Sequence, residues 1–334
     1  MPRSDASLRS ELTPTLKTES EHLVPLMQFF GLHRMAIPYH VMEAFPQWFG
    51  GDHPKTMRHL NWLHNQGWLR RHGNKDSGYT FNITQVGYER CRDTDINIPL
   101  HMIPYTYKEP SGKRARHELL ITKYATSLLK CRKDIAEFNV LEQARFGLQN
   151  LTAIDHESNE TLYPFEHLYP DFCYMAQDRG GMIFCMVEAV CGVESIDDLR
   201  GMIEKYERWE RSRAAQLFLT NLYRKLGAKS PQPQYQVHSI LESTSWKHTD
   251  AWKERMLLMQ TFHANEGTQA RFLTITKEEL DKAFAEGLTI NSKIWHRGKD
   301  LVEKRERWQR AQDGTRTRLV DGFMRSLPTY PLFA

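Results

Sequence analysis

The sequence predicts a mixed chain in two parts: an α+β domain of helices closed by a β-hairpin, then an α/β domain built on a mixed sheet flanked by helices. Three observations predict it. Helical spacing of apolar residues runs through residues 21–67 and gives way to strand-like alternation over 68–84. Two apolar runs meet at a Gly180-Gly181 turn, and beyond them strand and helix patterns alternate to about residue 284. At 334 residues there is room for two cores. Hydrophobic content of 40% and charged content of 26% belong to an ordinary soluble globular protein. No apolar run approaches the roughly 20 residues that span a bilayer, so no membrane is expected.

We divide the chain into a disordered lead-in (1–20), a first domain (21–92), a linker (93–112), a second domain (113–288) and a basic helical tail (289–334). The lead-in, MPRSDASLRSELTPTLKTES, is polar and lacks the apolar stretch of a signal peptide. In the first domain, residues 21–31 form a helix with Leu23, Leu26, Met27 and Phe30 on one stripe and Gly31 as its stop. A short helix follows over 37–45, entered through Pro38. Pro54 opens a third, with Met57, Leu60 and Leu63 inward and Gly67 as its end. The stretches WLRRH and YTFNIT, joined by the polar turn GNKDSG, read as a hairpin, and Thr84 caps a further helix.

Three helices and a two-stranded hairpin make a winged helix-turn-helix pattern, in which the third helix enters the major groove of DNA and the wing meets phosphate. Charge supports that reading. From His53 to Lys75 there are five basic residues (Lys55, Arg58, Arg70, Arg71, Lys75) and no acid. Lys55, Thr56, Arg58, His59, Asn61 and Trp62 fall largely off the apolar stripe and are the candidate DNA-facing side chains, with Arg70, Arg71 and Lys75 on the wing.

The linker carries Pro99, Pro104 and Pro110. The second domain reads as a helix over 116–133, a strand over 137–146, a polar excursion over 147–166, strands over 169–176 and 182–190, and a helix from Ser195 to about Ser212. Then come a strand over 235–243, a helix over 250–263, a strand over 271–276 and a helix capped by Thr276. Between Asp134 and Glu210 there are 16 acids against 5 bases, whereas 111–133 and the tail from Asn291 are basic. Basic ends around an acidic middle fit a polyanion partner and a metal site between. The five cysteines form no CxxC pair and suit a reducing cytoplasm. Cys173 and Cys185 fall on the two arms of the hairpin, where they could face each other, and buried free thiols are the expected state.

Asp171 begins one arm of that hairpin and Glu188 lies near the end of the other, which brings two carboxylates to one end of a sheet. The string from Pro170-Asp171 through Phe184-Cys185-Met186-Val187-Glu188 to Gly192-Val193-Glu194-Ser195, Leu199 and Tyr206 resembles that of restriction-endonuclease-like nucleases. With the winged helix before it, the chain resembles the replication-relaxation family of bacterial mobile elements and the plasmid mobilisation relaxases related to restriction endonucleases, over roughly Glu21 to Phe284. His117-Glu118 looks like the family's His-Glu motif, a less specific match.

The resemblance implies a restriction-endonuclease-like mixed sheet flanked by helices and double-stranded DNA at an origin of transfer or replication as partner. It also implies Mg²⁺ or Mn²⁺ as cofactor. Attack on a phosphodiester needs a cation that neutralises charge and activates a water or hydroxyl, and a hard cation takes oxygen ligands. Asp171 and Glu188 would supply them with the Ala189 carbonyl, Glu142 would add an outer ligand, and His117 and Lys205 are further candidate catalytic residues. The departure falls at Val190. Positions i and i+2 of a strand share a face, and the family carries an acid or lysine there; Lys205 or Glu204 on the following helix would have to substitute.

Tyr206 and the tryptophans Trp246, Trp252, Trp295 and Trp308 read as packing residues. No Walker A, GxGxxG, GxSxG, HExxH or kinase signature occurs. The expected protein is cytoplasmic and acts in mobilisation or replication initiation, nicking origin DNA if the metal site is active, with other relaxosome or replication proteins as further partners and self-association compatible. The alternative is a non-enzymatic DNA-binding regulator on a degenerate nuclease fold.

Overall fold

The computed structural model describes residues 19–75, 78–93, 112–134, 139–144, 148, 151–178, 181–191, 196–225, 227, 235–242, 271–286, 293 and 295–297. The lead-in, nearly all of the linker, Gly192–Ser195, the expected helix over 250–263, Trp246, Trp252, Trp308 and most of the tail lie outside them. The chain is a mixed α+β protein that divides into two compact units, Met1–Thr126 and Ser127–Ala334. Among the described residues no helix is long and apolar enough to cross a membrane.

In the first unit, helix α1 (Glu19–His33) buries Leu26, Met27, Phe29 and Phe30. It runs past Gly31, the expected stop, and ends at Arg34, which takes a left-handed φ of 58° while its N–H donates to the Phe30 carbonyl at 2.8 Å. Strand β1 (Met35–Ala36) comes next, then α2 (Pro38–Ala44) and a single turn, α3 (Pro46–Phe49). Helix α4 (His53–Asn65) is capped by Asp52, whose Oδ1 accepts from the Lys55 N–H at 2.9 Å. Its end is a Schellman turn: Gly67 (φ 75°) donates to the His64 carbonyl and Trp68 to that of Leu63.

Strands β2 (Leu69–Asn74) and β3 (Gly78–Ile83) form the expected hairpin, and β1 adds to the other side of β3, giving the order β1-β3-β2. Thr84 caps α5 (Gln85–Asp93) by accepting from the Gly87 N–H at 3.0 Å. Phe30, Val41, Leu60, Leu63, Leu69, Phe81 and Ile83 make the core.

Helix α6 (Gly112–Asp134) begins in this unit, and the division of the chain falls inside it. Thr122 donates to the Met35 carbonyl at 2.7 Å, and Glu118 forms a buried ion pair with Arg34 at 3.7 Å. That pair engages the side chain of the one residue in this turn that takes a left-handed φ without being glycine. The same turn that ends α1 aims the guanidinium at Glu118.

The second unit is built on β4 (Asn139–Ala144), β7 (Phe172–Asp178), β8 (Gly181–Cys191), β9 (Tyr235–Glu242) and β10 (Phe272–Thr276), in the order β10-β9-β8-β7-β4. β4, β7 and β8 are mutually antiparallel, whereas β8, β9 and β10 run parallel. The crossover from β8 to β9 is α7 (Ile196–Arg211) followed by α8 (Arg213–Lys225), the second of which the sequence reading missed. Ser212 links them, accepting at Oγ from the Ala215 N–H at 3.1 Å. The polar excursion holds a small hairpin, β5 (Ala153–Asp155) and β6 (Glu160–Leu162), which Arg213 ties to α8 through Asp155 at 2.6 Å. After β10, α9 (Lys277–Ala285) opens with a reciprocal capping box. The Glu279 N–H donates to Thr276 Oγ1, and the Thr276 N–H donates to Glu279 Oε2.

Strand alternation sorts the sheet residues into two faces. One bears Cys173, Met175, Phe184, Met186, Val237 and Phe272, covered by Ile203, Tyr206 and Trp209 of α7 and by Leu219 and Tyr223 of α8. The other bears Tyr174, Cys185, Val187 and His238, where the Tyr174 hydroxyl meets His238 Nδ1 at 3.1 Å and the Trp295 ring lies 4.7 Å from the imidazole. The register pairs Cys173 with Met186 and Tyr174 with Cys185. The two cysteines therefore lie on opposite faces and do not meet across the hairpin; both are buried free thiols.

Candidate functional site

Asp171 and Glu188 come together as the hairpin reading required. The β7–β8 register sets Phe172 against Val187, so the next step places Asp171 against Glu188. Asp171 clasps β8 on both sides of that residue: its N–H donates to the Val187 carbonyl at 3.0 Å and its Oδ2 accepts from the Ala189 N–H at 2.9 Å. On the other flank Glu188 lies opposite Ser239 of β9, and Ser239 lies opposite Thr274 of β10. Four polar residues thus form a row across the strands. The Ser239 hydroxyl is fully buried and has no hydrogen-bond partner.

From α7 it is Tyr206 that meets this row. Its hydroxyl donates to Glu188 Oε1 at 2.6 Å, and its ring packs edge-on against Phe272. Burial first, and the Glu188 charge second, push the phenol well above its ordinary pKa, so it remains a protonated donor. The same two causes, with Asp171 adding to them, hold the neighbouring Cys173 thiol protonated. Lys205 and Glu204 are exposed on α7. Val190 is buried in an apolar cluster with Leu199 and Leu241, against which Met202 packs. Glu142 pairs with Met175 next to a register shift on β4, and its side chain lies outside those described. His117 sits on the part of α6 that belongs to the first unit and is half-buried.

Two carboxylates and the Ala189 carbonyl are oxygen donors of the kind Mg²⁺ or Mn²⁺ takes. An ion held there would share Glu188 with the Tyr206 hydroxyl. Among the described residues no group of three His, Cys, Asp or Glu is placed to hold a metal ion. What sequence reasoning missed is that Tyr206 and Ser239 belong to this row. Tyr206 follows Leu199 and Ile203 on one helical stripe, which shows that it is buried but not what its hydroxyl reaches.

The basic candidates lie in the first unit on α4 and the β2–β3 hairpin. Arg58, Arg70, Arg71 and Lys75 are exposed. Arg71 donates to Asn61 Oδ1 at 2.8 Å and lies over the Tyr79 ring at 4.9 Å. That bond joins the outer side of α4 to β2, and Arg58, one turn before Asn61, shares its side of the helix. Arg70 points to the other face of β2.

Lys55 and His59 have local tasks. The Lys55 ammonium donates to the Trp48 carbonyl at 2.5 Å, and His59 Nδ1 is 2.9 Å from the Lys55 carbonyl with its ring against Phe49. Two residues expected on the outer side do not lie there. Thr56 is buried and donates to the Asp52 carbonyl, and Trp62 packs at right angles on Trp68. The apolar stripe of α4 is therefore wider than Met57, Leu60 and Leu63. No protein-family model, curated protein or solved structure matches the chain.

Proposed function

We propose that the chain is a DNA-binding protein of a plasmid or other mobile element, acting in mobilisation or replication initiation. In this reading its first unit is a winged helix and its second a restriction-endonuclease-like domain. The observation that carries it is the basic surface of α4 and β2, whose run from His53 to Lys75 holds no acid. There Arg58 and Arg71 share one side, linked through Asn61, and Lys75 is exposed at the hairpin tip. Such a surface neutralises backbone phosphates, and each phosphate contact adds to the salt dependence of binding. The order β1-β3-β2 behind α4 also suits a helix presented to a groove with a wing beside it.

The test is titration of double-stranded DNA at several salt concentrations. Arg58→Ala and Lys75→Ala should weaken binding and each lower the salt slope by about 1. Salt-insensitive binding, or none, removes the reading.

A second reading, metal-dependent nicking, is favoured by Asp171 standing opposite Glu188. Supercoiled plasmid incubated with Mg²⁺ or Mn²⁺ separates the two. Relaxation lost in both Asp171→Ala and Glu188→Ala supports an enzyme, whereas binding without relaxation leaves a DNA-binding protein on a nuclease-like scaffold. Val190 among Leu199 and Leu241, and Tyr206 engaged with Glu188, favour the second outcome.

A further inference from the structure

On the outer side of α4, Asn61 is held by a residue from outside the helix. The Arg71 guanidinium of β2 donates to Asn61 Oδ1 at 2.8 Å and lies over the Tyr79 ring at 4.9 Å. Tyr79 pairs with Gly73, two residues beyond Arg71, so Arg71 and Tyr79 share one face of the hairpin. The guanidinium is thus placed by a ring on one side and an amide on the other.

That bond decides what Asn61 shows to its surroundings. A guanidinium carries donors and no acceptor, so the amide must turn its oxygen towards Arg71. The amide is planar, and its Nδ2 group therefore points away from Arg71 with two N–H donors. Arg58, exposed and one turn earlier on the same side, also offers only donors. Lys55 spends its ammonium on the Trp48 carbonyl. The other amide on this stripe, Asn65, is the last residue of the helix, beyond the N-terminal turns that reach base edges in a helix-turn-helix. The middle of the outer side of α4 is a surface of donors.

Base edges in the major groove differ in this respect. An asparagine reads adenine by accepting from N6–H while donating to N7, and Asn61 has committed its acceptor to Arg71. Cytosine presents a donor, and thymine one acceptor beside a methyl group. Guanine alone presents two acceptors, O6 and N7, side by side.

We infer that α4 selects neighbouring guanines in double-stranded DNA, and that Arg71 sets this choice by occupying Asn61 Oδ1. The inference rests on the DNA-binding reading above and names what that surface would read. Arg71 is a positioning residue, since it acts on the base through Asn61.

The test is selection of duplexes from a randomised pool by the full chain, then competition between the enriched site and copies with one guanine changed to adenine. The parent should favour guanine by about tenfold or more at each of two neighbouring positions. Arg58→Ala should erase the preference at one of them and Asn61→Ala at the other. Arg71→Ala should bring adenine to within about threefold of guanine at the Asn61 position, because the freed Oδ1 can accept from N6–H. A lost phosphate contact or lost structure would weaken both duplexes together and leave that ratio unchanged. Salt-sensitive binding without a guanine preference, or an unchanged ratio in Arg71→Ala, overturns this inference and leaves the DNA-binding reading in place. Failure to bind any duplex overturns both.

Discussion

The Tyr206 hydroxyl donates to Glu188 Oε1 across 2.6 Å from a side chain with no exposed surface. Replacing it with phenylalanine keeps the ring packing on Phe272 and removes only that donor. A hydrogen bond to a charged group contributes about 1.5–3 kcal/mol, and Glu188 is half-buried, so water makes up part of the loss. Tyr206→Phe should therefore lower unfolding stability by about 1–2 kcal/mol, read as a shift in urea midpoint at constant slope. In a Glu188→Gln background the same change should cost less, because the acceptor is then neutral. Equal costs in the two backgrounds would mean that the bond does not stabilise the carboxylate.

Val190 shares the face of Glu188 and is closed in by Leu199 and Leu241. A lysine there would bring an ammonium into an apolar cluster. Buried charges without partners are expensive, so Val190→Lys should destabilise the protein by about 3 kcal/mol or more and should not raise plasmid relaxation. A stable variant that gains relaxation would show that the site was one residue short of an active nuclease.

Gly87 is required by a close approach. A Cβ built there would lie 2.2 Å from the Trp68 carbonyl oxygen, the same oxygen that accepts from the Thr84 N–H at 2.9 Å. Backbone cannot yield as a side chain tip can, so Gly87→Ala must tilt α5 away from the β2–β3 hairpin. We expect a loss of about 3 kcal/mol by thermal or urea unfolding, with weaker DNA binding only through lost structure.

Local rules were the legible part of this fold. Thr276 and Glu279 stand at capping-box spacing, and both bonds form. Thr84 and Gly67 likewise act where their types suggest, and the two apolar arms around Gly180-Gly181 place Asp171 against Glu188. What stayed hidden depends on partners remote in sequence. Arg34, rather than Gly31, ends α1, and its guanidinium pairs with Glu118, 84 residues on. No proline or glycine separates α7 from α8, only Ser212, so the break between them gave no signal. β1 is two residues long and is defined by its pairing with β3. Cys173 and Cys185 needed the strand register to show that they lie on opposite faces, and the same register placed Ser239 beside Glu188.

Two buried histidines make stability depend on pH. His238 is held down to about 3 by burial, and His40 to about 3 by burial and then by Lys123. His238 is fully enclosed, with Tyr174 at Nδ1 and Gln236 Oε1 at 3.0 Å from Nε2. The arrangement that satisfies all three has the phenol donating to Nδ1 and Nε2–H donating to Gln236, so a second ring proton would displace the phenol's. Both imidazoles are neutral when folded but titrate near 6.5 in the unfolded chain. Their contribution is thus fully present above about pH 6.5 and is lost as pH falls towards 3, because the unfolded state binds the extra protons. Few carboxylates titrate between pH 7 and 5, so this window isolates the histidines. Over it, each should remove about 1–2 kcal/mol, measured as urea stability at half-unit steps. His238→Gln, whose amide can still bridge Tyr174 and Gln236, should flatten the slope by about half. An unchanged slope would mean that His238 takes up its proton in the folded state.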